Sequence, residues 1–168
     1  MDFILREWEI EDAASVAKYA NNKKIADNLR DAFPYPYTLS NAKEYINFCI
    51  NADRKKKILR AITIDGVAVG SIGVFGKDDV YRKSAELGYW LAEDFWNKGI
   101  ITRAIKQITD IAFNELDIVR IFAEPYFNNI GSRRVLEKSG FELEGILRKS
   151  VYKHNRYLDS CIYSIIKK

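Results

Sequence analysis

Cysteine and histidine are scarce in this sequence, which contains two cysteines and one histidine among 168 residues. Cys49 falls on an apolar helical face and Cys161 in an apolar strand pattern, so both are predicted to be buried, reduced thiols. Because two cysteines and one histidine give no metal-ligand spacing, we expect no metal site.

Long apolar runs are also missing. No stretch approaches the ~20 consecutive apolar residues that a membrane-spanning helix requires. The first twelve residues, MDFILREWEIED, carry early acidic side chains and no apolar run of the kind found in signal peptides. We therefore expect a cytoplasmic protein with no membrane partner.

A strong excess of one charge is absent as well, since the net charge is only +4. The basic run at residues 54–57 predicts a solvated loop. No pattern of aromatic and basic residues typical of nucleic-acid recognition accompanies it, so we expect no nucleic-acid partner. With 48% hydrophobic residues, the chain is long enough for one domain, residues 1–168, with a substantial core.

Hydrophobic periodicity and turn signals predict strands and helices along the whole chain. The predicted strands are residues 3–8, 57–64, 67–75, 84–91, 118–124, 141–152 and 157–166. The predicted helices are residues 11–20, 40–52, 99–114 and 132–139. Turns are expected at Asp65-Gly66 and His154-Asn155, the latter placing the histidine in an exposed turn.

The passage from strand 84–91 through helix 99–114 to strand 118–124 predicts a parallel pair of strands, because a crossover helix joins them. The other strands can pair in antiparallel fashion, so the sheet is expected to be mixed. A mixed sheet with a parallel pair in its middle can open there and bind a ligand. The expected fold is α/β (α+β), with a centrally splayed sheet of about seven strands flanked by about four helices.

The loop before helix 99–114 is a candidate phosphate site. A helix start presents unpaired backbone N–H groups and a partial positive charge, and Gly99 would allow close approach of a ligand. The three-glycine dinucleotide fingerprint is absent, and the Lys98-Gly99-Ile100 order does not fit the nucleotide P-loop. An ordinary strand-to-helix turn therefore stays open at this point.

Two longer segments carry a family resemblance. Residues 86–102 read ELGYWLAEDFWNKGIIT, and residues 123–145 read AEPYFNNIGSRRVLEKSGFELEG. With the earlier FPYPYTLSNAKEYI, they resemble the GNAT superfamily of N-acetyltransferases, most closely the Rim-type enzymes that acetylate ribosomal protein N-termini. The resemblance implies an acyl-CoA N-acyltransferase fold, acetyl-CoA (coenzyme A) as cofactor and a primary amine as acceptor.

The resemblance also implies a cofactor site. Backbone amides of residues 97–102 would bind the pyrophosphate, the end of strand 84–91 would bind the pantetheine and thioester, and the start of helix 132–139 would approach the pantetheine arm and sulfur. The implied cofactor residues are Trp90, Leu91, Ala92, Trp96, Asn97, Lys98, Gly99, Ile100, Ile101, Thr102, Asn129 and Ser132. Leu136 departs from the family pattern, because it stands where many members have a tyrosine that protonates the leaving thiolate.

Amine acetylation needs a base, since only a neutral amine attacks. Glu86, on the strand implied to hold the acetyl group, is the candidate base, and Ser132 is the candidate donor to the sulfur. A solvated or edge glutamate and a helix-capping serine remain the structural alternatives. Phe33, Tyr35 and Tyr37 are candidates to line the acceptor pocket, with core or loop packing as the alternative. Tyr126 and Tyr152 are candidate acids or pocket walls.

The acceptor itself stays open: a protein N-terminus, a polyamine, an amino sugar or an amino acid all fit an amine site. A non-catalytic acyl-CoA-binding sensor on the same fold is the alternative function. The sequence is compatible with a monomer or a homodimer.

Overall fold

The computed structural model describes residues 1–168. The strands are β1 (Ile4–Arg6), β2 (Lys57–Ile64), β3 (Val67–Gly76), β4 (Ser84–Leu91), β5 (Arg120–Ala123), β6 (Glu142–Lys153) and β7 (Arg156–Ile166). The helices are α1 (Ala13–Ala20), α2 (Lys23–Ala26), α3 (Leu39–Ile50), α4 (Ile100–Glu115) and α5 (Ile130–Lys138). None of these helices has the length and apolar content needed to cross a lipid bilayer.

All seven strands form one mixed sheet in the order β1-β2-β3-β4-β5-β7-β6. The pairs are antiparallel except for β4 and β5, which run parallel and are joined by the crossover helix α4. The sequence prediction of a mixed sheet with a central parallel pair is therefore confirmed.

The parallel pair is short, and this opens the sheet. β4 and β5 are in register only from Ser84↔Arg120 to Glu86↔Phe122, although β4 continues to Leu91. Beyond Glu86, β4 stays paired with β3 on its other side as far as Leu91. The outer half of β4 therefore has one edge without a strand partner, as the sequence prediction of a central splay requires.

Each face of the sheet is covered by its own hydrophobic cluster. The first contains the inward face of α4, including fully buried Ile105 and Ile108, together with Leu136 of α5. The second packs α1 and α3 against the opposite face and contains Trp90. Successive β4 residues alternate between the two clusters, so the direction of each β4 side chain follows from its parity.

Several element boundaries differ from the sequence prediction. The first strand ends at Arg6 instead of residue 8, and Trp8 turns away to pack against Tyr45 of α3 with ring centroids 5.8 Å apart. The one-turn helix α2 was not predicted, because four residues are too few to show helical periodicity. Helix α5 begins at Ile130, two residues before the predicted start, because Asn129 caps it.

The two cysteines are free thiols in α3 and β7. Cys161 is fully buried, as predicted, whereas Cys49 is half-buried. Burial raises the pKa of the Cys49 thiol to about 11.

A partly buried ion pair between Arg6 and Asp12 fixes the turn from β1 into α1. The Asp12 carboxylate accepts hydrogen bonds from Arg6 at 2.7 and 2.8 Å and from the Glu9 amide at 3.0 Å. Burial alone would raise the pKa of Asp12, but these hydrogen bonds and the Arg6 charge outweigh it, so the pKa is lowered. The ionised carboxylate is therefore the form that the fold stabilises.

We expect Asp12→Asn to lower the free energy of unfolding by about 1–3 kcal/mol at neutral pH, because charge-assisted hydrogen bonds are lost. A lowered folded-state pKa gives stability that is present above the unfolded-state pKa of ~4. That stability is lost as pH falls through the folded-state pKa. Urea unfolding should therefore show the difference from wild type shrinking in acid, and an undiminished difference would contradict the account. Asp110→Asn, on the exposed face of α4, is the matched control.

Candidate active site

At the opening between β4 and β5, some backbone groups of β4 are hydrogen-bonded neither to β3 nor to β5. Lys77 N–H donates to Ser84 C=O at 3.0 Å, and Ala92 N–H donates to Val69 C=O at 2.8 Å. Because hydrogen-bonded positions alternate in an antiparallel ladder, even-numbered β4 residues face β3. The odd-numbered residues face the other edge of β4. The backbone groups of Tyr89 and Leu91, which lie beyond the paired part of β5, therefore face the opening.

This parity refines the cofactor residues implied by the resemblance. The Ala92 amide is hydrogen-bonded to β3, and the Trp90 backbone faces the same strand. The Leu91 carbonyl accepts a hydrogen bond from the Trp96 indole Nε1 at 2.7 Å, which fastens the following loop to the strand end. The Tyr89 backbone and the Leu91 amide are left as the groups directed at the opening.

The loop that follows runs into the start of α4 with two residues in the left-handed region, Asn97 (φ 60°) and Gly99 (φ 71°). No backbone N–H in residues 97–102 has a hydrogen-bond partner within the protein. Residues 97–99 are exposed, whereas Ile100 is buried and anchors the helix start in the core. The loop thus offers a group of free amides at the positive end of a 16-residue helix.

Glu86 lies on the α1–α3 face of β4, the face that also carries Trp90. Its side chain is 19% exposed, and its carboxylate accepts a hydrogen bond from Arg30 at 2.5 Å. Lys77 Nζ lies 4.0 Å from the other carboxylate oxygen. The candidate base Glu86 therefore lies at the opening of the site, ion-paired with Arg30 and close to Lys77.

Ser132, in the first turn of α5, faces β4 across the opening. Its hydroxyl lies 2.5 Å from the Tyr89 hydroxyl, and its backbone amide donates to the side chain of Asn129 at 3.3 Å. The Asn129 side chain, rather than that of Ser132, therefore caps the helix. Leu136, at the position implied by the resemblance for a tyrosine acid, is fully buried in the core.

Tyr89 is a candidate site residue that the sequence reasoning missed. Burial raises the pKa of its hydroxyl to about 12, despite the opposing effect of the hydrogen bond with Ser132. The hydroxyl therefore stays protonated at neutral pH and can donate a hydrogen bond, although the raised pKa makes it a weaker acid than a free tyrosine. The available signal was strand parity, which directs Tyr89 away from Glu86 and toward the α4–α5 side.

Two of the predicted pocket aromatics, Phe33 and Tyr37, form one cluster with Trp90. The Phe33 ring lies 5.0 Å from that of Tyr37 and 6.1 Å from that of Trp90, measured between centroids. Tyr37 is buried, and burial raises its pKa to about 12. Tyr35 is 52% exposed and lies outside this cluster.

Tyr126 and Tyr152 occupy different surroundings. Tyr126 is buried, and its hydroxyl donates to the Leu29 carbonyl at 2.9 Å, so it holds the segment that follows α2. Tyr152 is 61% exposed near the tip of the β6–β7 hairpin and packs on Tyr157 at 5.2 Å. The structure therefore brings Tyr126 close to the segment that carries Arg30 but leaves Tyr152 on the surface.

His154 occupies the exposed hairpin turn that the sequence predicts, with φ of 52°. Its Nε2 lies 2.9 Å from the Asp27 carboxylate. The hairpin tip is thereby tied to the segment that follows α2.

Comparison with known proteins fits this geometry. The family model described as "Acetyltransferase (GNAT) domain" matches residues 2–142. A Bacillus subtilis protein named "Putative ribosomal N-acetyltransferase YdaF" is 39% identical over 104 residues, which cover 62% of this chain and 56% of that protein. The match thus spans little more than half of that relative's length.

Two solved structures have the same fold. The ribosomal L7/L12 alpha-N-protein acetyltransferase RimL, in complex with coenzyme A, superposes with a TM-score of 0.87 at 20% identity, covering 98% of this chain and 94% of that one. The microcin C7 self-immunity acetyltransferase MccE, in complex with acetyl-CoA and AMP, superposes with a TM-score of 0.84 at 24% identity, covering 98% and 92%. With the family model matching most of the sequence, the chain belongs to the GNAT acetyltransferase family.

Proposed function

We propose that this protein is an acetyl-CoA-dependent N-acetyltransferase acting on a primary amine, with residues 1–168 working as one domain. The observation that carries the proposal is the parting of β4 from β5, with Glu86 on one side of β4 and the Tyr89–Ser132 pair on the other. Family membership and the cofactors named for RimL and MccE support it.

In this proposal, acetyl-CoA lies across the opening. The pyrophosphate binds the free amides of residues 97–102 at the start of α4, where a helix terminus favours negative charge. The pantetheine arm runs along the unpaired edge of β4 toward Asn129. The thioester then lies beside Tyr89, with Ser132 close to the sulfur.

The reaction proceeds by direct attack in a ternary complex. The neutral amine nitrogen forms a bond to the thioester carbonyl carbon, and the carbon–sulfur bond breaks. Glu86 accepts the amine proton, directly or through water. An amide at the outer end of β4 stabilises the oxyanion, and Ser132, supported by Tyr89, donates a hydrogen bond to the departing thiolate.

The positions of the cysteines support direct transfer over an acetyl-cysteine intermediate. Cys161 is fully buried in the core. Burial also raises the pKa of Cys49, and a thiol that is protonated at neutral pH is a poor nucleophile.

The acceptor is proposed to be the α-amino group of a peptide or protein. Such an amine has a pKa near ~8, compared with ~10 for an alkyl ammonium, so it reaches the neutral form with less assistance. The names of YdaF and RimL, which refer to ribosomal substrates, support this choice. A small amine such as a polyamine, amino sugar or amino acid is the alternative acceptor.

A thiol-release assay with acetyl-CoA and a panel of amines tests the proposal. We expect turnover with peptides that have a free N-terminus. One observation favours the alternative, a non-catalytic acyl-CoA sensor. The carboxylate of Glu86, the proposed base, is already ion-paired with Arg30. Acetyl-CoA binding without thiol release from any amine would support the sensor, and far higher kcat/KM with spermidine than with any peptide would overturn the peptide acceptor.

Gly99→Val should weaken acetyl-CoA binding about tenfold. The φ of 71° disfavours a β-branched residue by roughly 1–2 kcal/mol, so relaxation would turn the amides of residues 97–102 away from the pyrophosphate. Apart from the adjoining residues of the chain, no protein atom lies within 4 Å of a Cβ built at Gly99, so the core should be unaffected. Isothermal calorimetry measures the effect.

Gly99→Asn is the matched variant, because asparagine tolerates the left-handed region, as Asn97 does in the same loop. It should bind acetyl-CoA more tightly than Gly99→Val. Equal, wild-type affinity in both folded variants would remove this loop from the proposed cofactor site.

A further inference from the structure

The charge around Glu86 is unbalanced. One carboxylate faces two cations, Arg30 at 2.5 Å and Lys77 at 4.0 Å. The Arg30 side chain is 73% exposed and makes no other hydrogen bond. Glu86 therefore has two cationic neighbours at the opening where the proposed acceptor amine would enter.

The backbone next to Arg30 is held by hydrogen bonds from Tyr126 and Lys153. The Leu29 carbonyl accepts hydrogen bonds from the Tyr126 hydroxyl at 2.9 Å and from Lys153 Nζ at 2.7 Å. Lys153, itself buried, also contacts the Asp31 carboxylate at 3.1 Å. The segment around Arg30 is thus anchored to β6 and to the chain after β5, whereas the guanidinium itself can exchange partners.

Three other carboxylates lie nearby but do not pair with these two cations. Glu124, which together with Asp31 and Arg30 influences the pKa of Tyr126, forms no ion pair. Asp31 is paired with Lys153, and Asp27 is paired with Lys23 at 2.7 Å and contacts His154. Neither carboxylate contacts Arg30 or Lys77. An incoming cation alone would compete with Arg30 for Glu86 and leave the guanidinium without a partner.

We propose that the acceptor is a peptide N-terminus followed closely by an acidic side chain, an inference that rests on the proposed function. The α-ammonium displaces Arg30 from Glu86, and the freed guanidinium pairs with the acidic side chain of the same acceptor. Glu86 and Arg30 then each have a partner of opposite charge on the acceptor. The planar guanidinium of Arg30 is well suited to binding a carboxylate. Arg30 is a specificity-determining residue, and polycationic acceptors are disfavoured by charge.

Three short peptides that differ only at the second residue, Glu, Gln or Lys, test the inference by their kcat/KM. Wild type should prefer the Glu peptide over the Gln peptide by about fivefold, consistent with a solvent-exposed ion pair, and the Lys peptide should be poorest. Arg30→Gln should abolish this ranking, and Arg30→Glu should reverse it. The preference should also shrink in high salt, because screening weakens exposed pairs.

Arg54→Gln is the matched control, since Arg54 forms an exposed ion pair with Glu7 after edge strand β1. This variant should keep the wild-type ranking. Equal kcat/KM for the three peptides with wild type, or an unchanged ranking in Arg30→Glu, would overturn the inference and leave the proposed function standing. Absence of thiol release with every amine would instead overturn the proposed function, and the inference with it.

Discussion

Glu86→Gln should lower kcat/KM about 10²- to 10³-fold at neutral pH, within the range of general acid–base contributions. An α-amino group with a pKa near ~8 is largely protonated at neutral pH, so attack requires proton removal. Glutamine keeps the shape of the side chain at the opening but cannot accept the proton. Because Glu86 faces away from the proposed pantetheine channel, acetyl-CoA affinity should barely change.

The pH profile separates proton removal from simple positioning. As pH rises through the amine pKa, the acceptor becomes neutral without help, so the deficit of Glu86→Gln should shrink. Glu7→Gln is the control, since Glu7 also pairs with an exposed arginine, Arg54, and it should follow the wild-type profile. Near wild-type kcat/KM for Glu86→Gln around neutral pH would remove Glu86 from the mechanism.

Ser132→Ala should lower kcat about tenfold, less than Glu86→Gln, because a thiolate with a pKa near ~8.5 leaves with little assistance. Tyr89→Phe keeps the ring in place and removes only the hydroxyl that lies 2.5 Å from Ser132. Its effect on kcat should be similar in direction and no larger. If the two hydroxyls act as one donor unit, the double variant should lose little more than Ser132→Ala alone.

The double-variant cycle is measured by kcat at saturating acetyl-CoA, with urea unfolding as the control for lost stability. The Tyr89 pKa of about 12 keeps this hydroxyl neutral across the assay range. Neither Ser132→Ala nor Tyr89→Phe should therefore add a new pH-dependent change in kcat near neutral pH. Fully additive losses in kcat would mean that Ser132 and Tyr89 act independently, and an unchanged kcat in Ser132→Ala would exclude its role.

Much of the fold was predictable because its signals are local. The Asp65-Gly66 turn and the crossover through α4 each depend on a few neighbouring residues, and the structure confirms both. The alternation along β4 similarly follows from the strand period. It places Glu86 and Trp90 on one face and Tyr89 on the other.

The contacts that give the site its chemistry could not be predicted in this way. Arg30 and Glu86 are 56 positions apart in sequence, and Tyr89 and Ser132 are 43 apart. Such pairs meet only when the packing of loops and helices on the sheet is fixed, and no local pattern encodes that packing. The roles of Glu86 and Ser132 accordingly stay predictions, now with defined partners.

We propose that the acetyl group passes from acetyl-CoA directly to an amine. The most direct measurement combines thiol release with mass spectrometry of the acceptor, using one peptide with a free N-terminus and the same peptide already blocked there. We expect one acetyl group on the α-nitrogen for each thiol released, and no release above background with the blocked peptide. Equal thiol release with both peptides, or acetylated protein without acetylated peptide, would contradict it.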